Sequence, residues 1–249
     1  GSPSKTPQLT WVMNNVKDVQ LGVDNQIILK EDGSAWTRGD NSWGQIGNGT
    51  KTEDSNDNVD IPYNVLNNVS KVYAGLDSFG AIDKTGSLWT WGRNEDGRLG
   101  QGKSSNEMSE NSSPKCILKN VKKVVLPTNG HGMCVAITNE GDLYIWGSCG
   151  RNINVPQKIM EDVTEVSVGS LGSWCIIKKR DASIWGYGTN GFGQLGVGNT
   201  IDTSTPQAIG LNDVDKIGAL ESVGYAITKT GDLYIWGGKG SKLGKAEYD

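Results

Sequence analysis

The feature that most constrains this chain is a string that occurs five times. It reads "GSAWTRGDNSWGQIGNG" at 33–49, "GSLWTWGRNEDGRLGQG" at 86–102, "GDLYIWGSCGRN" at 141–152, "ASIWGYGTNGFGQLGVG" at 182–198 and "GDLYIWGGKGSKLG" at 231–244. Ahead of each lies an alternating apolar run, such as "QIILKED" or "CVAITNE". Ahead of that lies a valine-rich run, such as "NVKDVQLG" at 15–22 or "DVTEVSVG" at 162–169. Aligned on Gly39, Gly92, Gly147, Gly188 and Gly237, the units step by 53, 55, 41 and 49 residues. A period of that size signals a repeat architecture, in which one unit cannot bury its apolar face alone and must stack on its neighbours.

Within each unit the apolar residues alternate, which is the strand period rather than the helical one. The strings "EDGS", "KTGS", "NEGD" and "KTGD" supply tight Gly-containing turns between two strands. No segment has a helical pattern. A fourth strand per unit is visible at "PYNVL" (62–66), "PKCIL" (114–118), "PQKIM" (156–160) and "PQAIG" (206–210). Its fifth copy, "PQLTWVM" at 7–13, stands at the start of the chain. The expected fold is therefore all-β: a β-propeller of four-stranded antiparallel blades, five in number and closed by the N-terminal strand. Residues 1–7, beginning with a "GS" that looks like a cloning remnant, read as a remnant or linker ahead of a single propeller domain at 8–249.

These strings carry a resemblance. The run Leu/Trp-x-Trp-Gly-x-Asn-x-x-Gly-x-Leu-Gly-x-Gly, best seen at 88–102 and 184–198, with Asn-Val-x-x-Val ahead of it, is similar to the regulator of chromosome condensation repeat family. The resemblance covers about 8–244, and "DGSxW", "NVKDV" and "GQLGxGN" resemble bacterial members more than the eukaryotic nuclear exchange factor. It implies a propeller, usually of seven blades, where five units are counted here. The family often places a histidine in the second strand. That place holds Asn25, Ser78, Met133 and Val223, with Ser173 or a neighbour in the fourth unit. Guanine-nucleotide exchange, the family's best-known activity, thus has no residue-by-residue support.

The glycine-rich "GFGQLGVGNT" at 191–200 looks at first like a phosphate loop. Such a loop needs a following helix and usually Lys-Ser/Thr. Here "IDTSTPQ" follows, so Gly191, Gly193, Gly196 and Gly198 are read as left-handed turn positions. The aromatics fall on two repeat positions on one strand face. Trp36, Trp89, Tyr144, Trp185 and Tyr234 take the first; Trp91, Trp146, Tyr187 and Trp236 take the second. Recurrence points to packing between blades, with sugar stacking as the other reading.

Aromatics outside that pattern are the candidate contacts. Trp43 and Phe192 sit in loops, either as a hot spot for a protein or glycan or folded back as caps. Trp11 lies on the closing strand and Trp174 begins a second strand. Two long connections, 50–61 and 103–113, bring Glu53, Asp54, Asp57, Asp60, Glu107 and Glu110 to neighbouring blades. They form an acidic rim for a basic partner or a cation, or else solvated loops. They lack calcium-loop spacing.

No catalytic site is expected. The single histidine, His131, lies in the irregular "PTNGHGM", and no paired carboxylates recur. Cys116, Cys134, Cys149 and Cys175 form no CxxC, which argues against zinc; they are read as small core residues, with disulfides left open. A net charge of -4 weighs against a nucleic-acid partner, and no run is long and apolar enough for a membrane helix. No cofactor or metal is expected. The expectation is a non-enzymatic module that binds a protein partner through rim loops. Glycan binding through loop tryptophans is the alternative, and GTPase exchange stands further off. The phrasing favours a bacterial secreted or surface protein, against which four cysteines weigh in an oxidising setting.

Overall fold

A computed structural model of the chain describes residues 9–53, 58–128, 132–169 and 173–238. Among them nineteen strands form five antiparallel sheets, and one 3-10 turn spans Glu95–Gly97. Sheet one is β1 (Val16–Leu21), β2 (Asn25–Lys30), β3 (Ala35–Gly39) and β4 (Val59–Leu66). Sheet two is β5 (Val69–Ala74), β6 (Ser78–Asp83), β7 (Leu88–Arg93) and β8 (Glu110–Leu118). Sheet three is β9 (Val121–Val125), β10 (Met133–Thr138), β11 (Leu143–Ser148) and β12 (Asn152–Met160). Sheet four is β13 (Val163–Val168), β14 (Trp174–Lys179), β15 (Ile184–Gly188) and β16 (Thr203–Ala208). Sheet five is β17 (Val214–Leu220), β18 (Val223–Thr228) and β19 (Leu233–Gly237). Strands pair in chain order within every sheet, so each is a meander.

The hairpins between second and third strands show why the turn residues are there. In sheet one the Lys30 amide donates to the Ser34 carbonyl at 2.9 Å, and Gly33 sits at φ 87°. Gly86, Gly141 and Gly231 repeat that positive φ; in sheet four Ala182 adopts it, at φ 64°. The aligned glycine that ends each third strand is required twice over. Gly39, Gly92, Gly147, Gly188 and Gly237 all have positive φ. A Cβ on them would also meet the carbonyl oxygens of Asp24, Asp77, Gly132, Ser173 and Ser222 inside 3.0 Å. A side chain there would be both strained and obstructed.

The core lies between the sheets, not within them. Ile27, Leu29 and Ala35 of sheet one pack on Val69, Val72, Phe79, Ala81 and Trp91 of sheet two. Leu88 of sheet two faces Val121 and Val124, and Ile176 and Ile184 of sheet four face Val214 and Ile217. Consecutive first strands lie together: β1 against β5, β13 against β17. This is the radial array of a β-propeller, first strands innermost and fourth strands outermost.

Two bonds join neighbouring sheets at opposite edges. At the hairpin edge, the amides of Val69, Val121, Val163 and Val214 donate to the carbonyls of Gly33, Gly86, Gly141 and Ala182 of the preceding sheet, at 2.8 to 3.1 Å. At the loop edge, the indoles of Trp91, Trp146 and Trp236 donate to the carbonyls of Gln45, Arg98 and Gln194, at 2.8, 2.7 and 2.8 Å. The glycine two residues after each acceptor makes room for that ring. A Cβ on Gly47 or Gly196 would stand 2.9 or 2.7 Å from the indole nitrogen.

The structure corrects several expectations. Closure by 7–13 is absent: its described part, from Leu9, forms no strand, and Leu9 and Trp11 are exposed. Sheet five has three strands among the described residues. Such closure needs sheets one and five to be neighbours, and the faces they would share are uncovered. The fourth strands begin earlier than expected, at Val59, Glu110 and Asn152, because the loops re-enter the ladder opposite the aligned glycine; Gly39 pairs with Val59. Gly191 is not left-handed, unlike Gly193, Gly196 and Gly198. The register Trp174↔Gly188 narrows the fourth unit's counterpart of Asn25, read as Ser173 or a neighbour, to Trp174.

Candidate protein-interaction surface

Because Gly39 pairs with Asn25, the loop after β3 and the turn before β2 leave sheet one at the same edge. The other sheets repeat this, and one bond ties each loop to its turn. The amides of Asp40, Arg93, Ser148, Thr189 and Gly238 donate to the carbonyls of Asp24, Asp77, Gly132, Ser173 and Ser222 at 2.8 to 3.1 Å. One edge of the array therefore gathers all the loops between third and fourth strands.

A buried asparagine organises each long loop. The Asn41 Oδ1 accepts from the Ile46 amide, Asn94 Oδ1 from Leu99 and Asn190 Oδ1 from Leu195, at 3.0, 3.2 and 2.9 Å. Their amide nitrogens donate to carbonyls across the loop base, at Thr50, Lys103 and Asn199. The glycine-rich string is thus a framework for a rigid loop, and its side chains ride on that framework. The Gln45 Oε1 accepts from the Trp43 amide at 2.8 Å, and Gln194 Oε1 from the Phe192 amide at 2.9 Å. Trp43 and Phe192 are hence equivalent positions on loops of sheets one and four, which the structure does not bring together.

Their surroundings differ. The guanidinium of Arg93, from sheet two, lies over the Trp43 ring at 4.4 Å. Arg93 is held there by Asp77 at 3.2 Å and Glu95 at 3.1 Å. Beneath it Arg98 is buried; its Nη1 donates to the Leu76 carbonyl at 3.1 Å and its Nη2 pairs with Glu95 at 3.2 Å. Burial lowers the Arg98 pKa from its ordinary value, and Glu95 is among the groups opposing that shift. The residue after the aligned glycine in sheet five, where Arg93 stands in sheet two, is Gly238, and Phe192 is 46% exposed. The half-buried Trp43 is therefore a ring fixed in place with a cation stacked on it.

The acidic rim is partly spent. Lys51 pairs with Glu110 at 2.9 Å, joining the loops of sheets one and two. Hydrogen bonds from Ser109 and then Lys51 lower the Glu110 pKa. Glu107 accepts the backbone amide and hydroxyl of Ser104, which holds its pKa down and folds it on its own loop. Glu53 and Asp60 are exposed, Asp60 inside β4 rather than in a loop. Asp54, Asp57 and His131 lie outside the described residues. No group of three or more His, Cys, Asp or Glu side chains is set to hold a metal ion among the described residues.

The other aromatics have local duties. The Trp36, Trp89 and Trp185 indoles donate to Ser34, Asp83 and Ser183 of their own hairpins, whereas Trp174 donates to the Glu221 carbonyl of sheet five. All four cysteines are free thiols. Arg93, Asp77, Glu95 and Arg98 were missed from sequence. The available signal was "GRNEDGRLG", where Arg98 stands in the place of Gln45 and Gln194.

Comparison with known proteins agrees with this architecture. The family model "Regulator of chromosome condensation (RCC1) repeat" matches residues 85–137. The mitochondrial RCC1 domain-containing protein RUG3 of Arabidopsis thaliana is 28% identical over 247 residues, covering 90% of this chain and 54% of that protein. Human WBSCR16 superposes with a TM-score of 0.67 at 23% identity, over 89% of this chain and 61% of its own. Prp20p of Saccharomyces cerevisiae gives 0.65 at 18%, over 92% and 57%. The chain thus spans little more than half the length of these relatives, all of them eukaryotic. With five copies of the repeat, four-stranded sheets in radial order and these matches, the chain is similar to members of the regulator of chromosome condensation repeat family, whose repeat model it matches at 85–137.

Proposed function

We propose that this chain is a non-enzymatic interaction module that holds a protein partner on its loop edge, centred on Trp43 and Arg93. One observation carries the reading: an indole and a guanidinium stacked at 4.4 Å, with the guanidinium clamped by two carboxylates. Preorganised Trp and Arg side chains are the types that dominate binding energy at protein interfaces, because little rotamer freedom is left to lose. Glu53 and Asp60, on the third connection and fourth strand of the sheet that carries Trp43, are exposed and favour a partner segment that carries basic residues. Among the structural relatives, Prp20p is studied for its binding to Gsp1p and histones, which are proteins. A bacterial origin rests on the phrasing of the repeats alone.

The test is capture of partners from an extract of the source organism on immobilised chain, with the wild type, Trp43→Ala and Arg93→Ala side by side. The reading requires a protein retained by the wild type and lost from both variants. Equal capture by all three would remove the platform from the proposal. A glycan array and a nucleotide-release assay on the same variants would reassign the module if either gave a Trp43-dependent signal.

A further inference from the structure

We propose that the junction between sheets three and four holds a binding site for a small zwitterion, a molecule that carries a carboxylate and an ammonium group as a free amino acid does. The site follows from a shortened loop. The connections from third to fourth strand run over 40–58, 94–109 and 189–202 in sheets one, two and four, but only over 149–151 in sheet three. Where Trp91, Trp146 and Trp236 reach back, the preceding long loop supplies the carbonyl that the indole bonds and a glycine that packs on the ring. Sheet four follows the short loop, and its residue at that position is Tyr187. Tyr187 is 2% exposed, and among the described residues its hydroxyl makes no hydrogen bond. A buried polar group of this kind is normally completed by a ligand, an ion or water.

Beside the short loop is a cavity of about 250 Å³, lined in part by Cys149, Arg151, Thr189, Asp202 and Ser204. That volume is below the ~300–1,000 Å³ of sites for drug-sized ligands, so it suits a smaller molecule. Burial raises the pKa of the Tyr187 hydroxyl and the Cys149 thiol, and the Arg151 charge opposes both shifts, which puts the guanidinium near these two groups. Arg151 and Asp202 bring opposite charges to one cavity and form no ion pair among the described residues. Asp202 is held by the Asn190 amide, which donates to its Oδ1 at 2.7 Å. A simple anion would meet the Asp202 charge, and a simple cation the Arg151 charge. A ligand bearing both signs satisfies the two at once, its carboxylate on the guanidinium fork and its ammonium on the carboxylate. The Thr189 and Ser204 hydroxyls, unbonded among the described residues, are further donors for the ligand. The site is separate from Trp43 and Arg93, which belong to sheets one and two.

The experiment is calorimetric titration of the whole chain with each of the twenty free amino acids, repeated with the N-acetyl and amide forms of any that binds. The wild type should bind at least one free amino acid, and blocking either charge of that ligand should weaken binding tenfold or more. Arg151→Gln removes the partner of the carboxylate. Asp202→Asn removes the partner of the ammonium but keeps an oxygen for the Asn190 amide. Each variant should bind at least tenfold more weakly, with the melting temperature of the free chain unchanged. The blocked ligands test the same two charges without altering the protein. Failure of all twenty to bind at millimolar concentration would overturn the proposal, as would binding that survives both substitutions. Equal binding of the N-acetyl form would reduce the site to one for anions and would overturn it too.

Discussion

Replacing Trp91 by Phe tests the idea that junctions, rather than single sheets, hold this protein together. Trp91 is fully buried, 6.0 Å from Phe79 between ring centres, and its indole donates to the Gln45 carbonyl of the preceding sheet at 2.8 Å. Phenylalanine keeps a ring but loses the donor. A buried acceptor left unpaired costs ~1–3 kcal/mol. The space left by the missing ring atoms, lined in part by Gly47 and Val65, adds about 1 kcal/mol or more. The sum is about 3 kcal/mol. Trp89→Phe is the control: the same chemical change two residues away, on a half-buried indole that bonds Asp83 within its own sheet. There water replaces the lost partner, and the cost should be about 1 kcal/mol. Denaturant unfolding followed by tryptophan fluorescence and by circular dichroism measures both. A Trp91→Phe penalty no larger than that of Trp89→Phe would refute the reasoning. A broadened transition for Trp91→Phe alone would support it, since sheets coupled only to their neighbours lose cooperativity when a junction weakens.

Two further outcomes follow from the same geometry. Gly188→Ala should lower the melting temperature clearly, because φ is 107° and the new Cβ would meet the Ser173 carbonyl, whereas Gly191→Ala meets nothing within 4 Å and should leave melting almost unchanged. Thiol labelling of the native chain at mildly alkaline pH should stop at the half-buried Cys116. Burial pushes the Cys149 thiol up to about 12 and also raises those of Cys134 and Cys175, so these three should react only after unfolding; early loss of more than one thiol would contradict the packing.

Much of the architecture was legible before any coordinates, because it is written in local rules. Alternating residues define a strand face, a glycine at positive φ defines a turn, and five copies define a repeat. Gly39 and its four equivalents could be aligned by eye for that reason. Their second constraint, a carbonyl pressed against the missing Cβ, could not be seen, since it comes from the turn that leads into the second strand of the same sheet.

The candidate site was legible only in outline. Trp43 stood out because the repeat does not call for it. What distinguishes it from Phe192 is Arg93, fifty residues away in the chain, and that pairing exists because sheets one and two are adjacent. Of the acids in the two long loops, Glu110 is paired with Lys51 and Glu107 is folded on Ser104, contacts that charge counting cannot foresee. The match of 7–13 to the fourth-strand pattern suggested a closed ring, and similarity of sequence cannot say whether the two ends of an array meet.

The sequence by itself determined the first three strands of each unit, the turns, the number of units and the apolar character of the junction faces, because each depends on residues close together in the chain. The tertiary structure alone decided which faces are covered, which indole crosses to which carbonyl, and where a tryptophan acquires a cation. Those depend on distances set by the stacking of whole sheets, and the last sheet at each end has a face with nothing stacked on it.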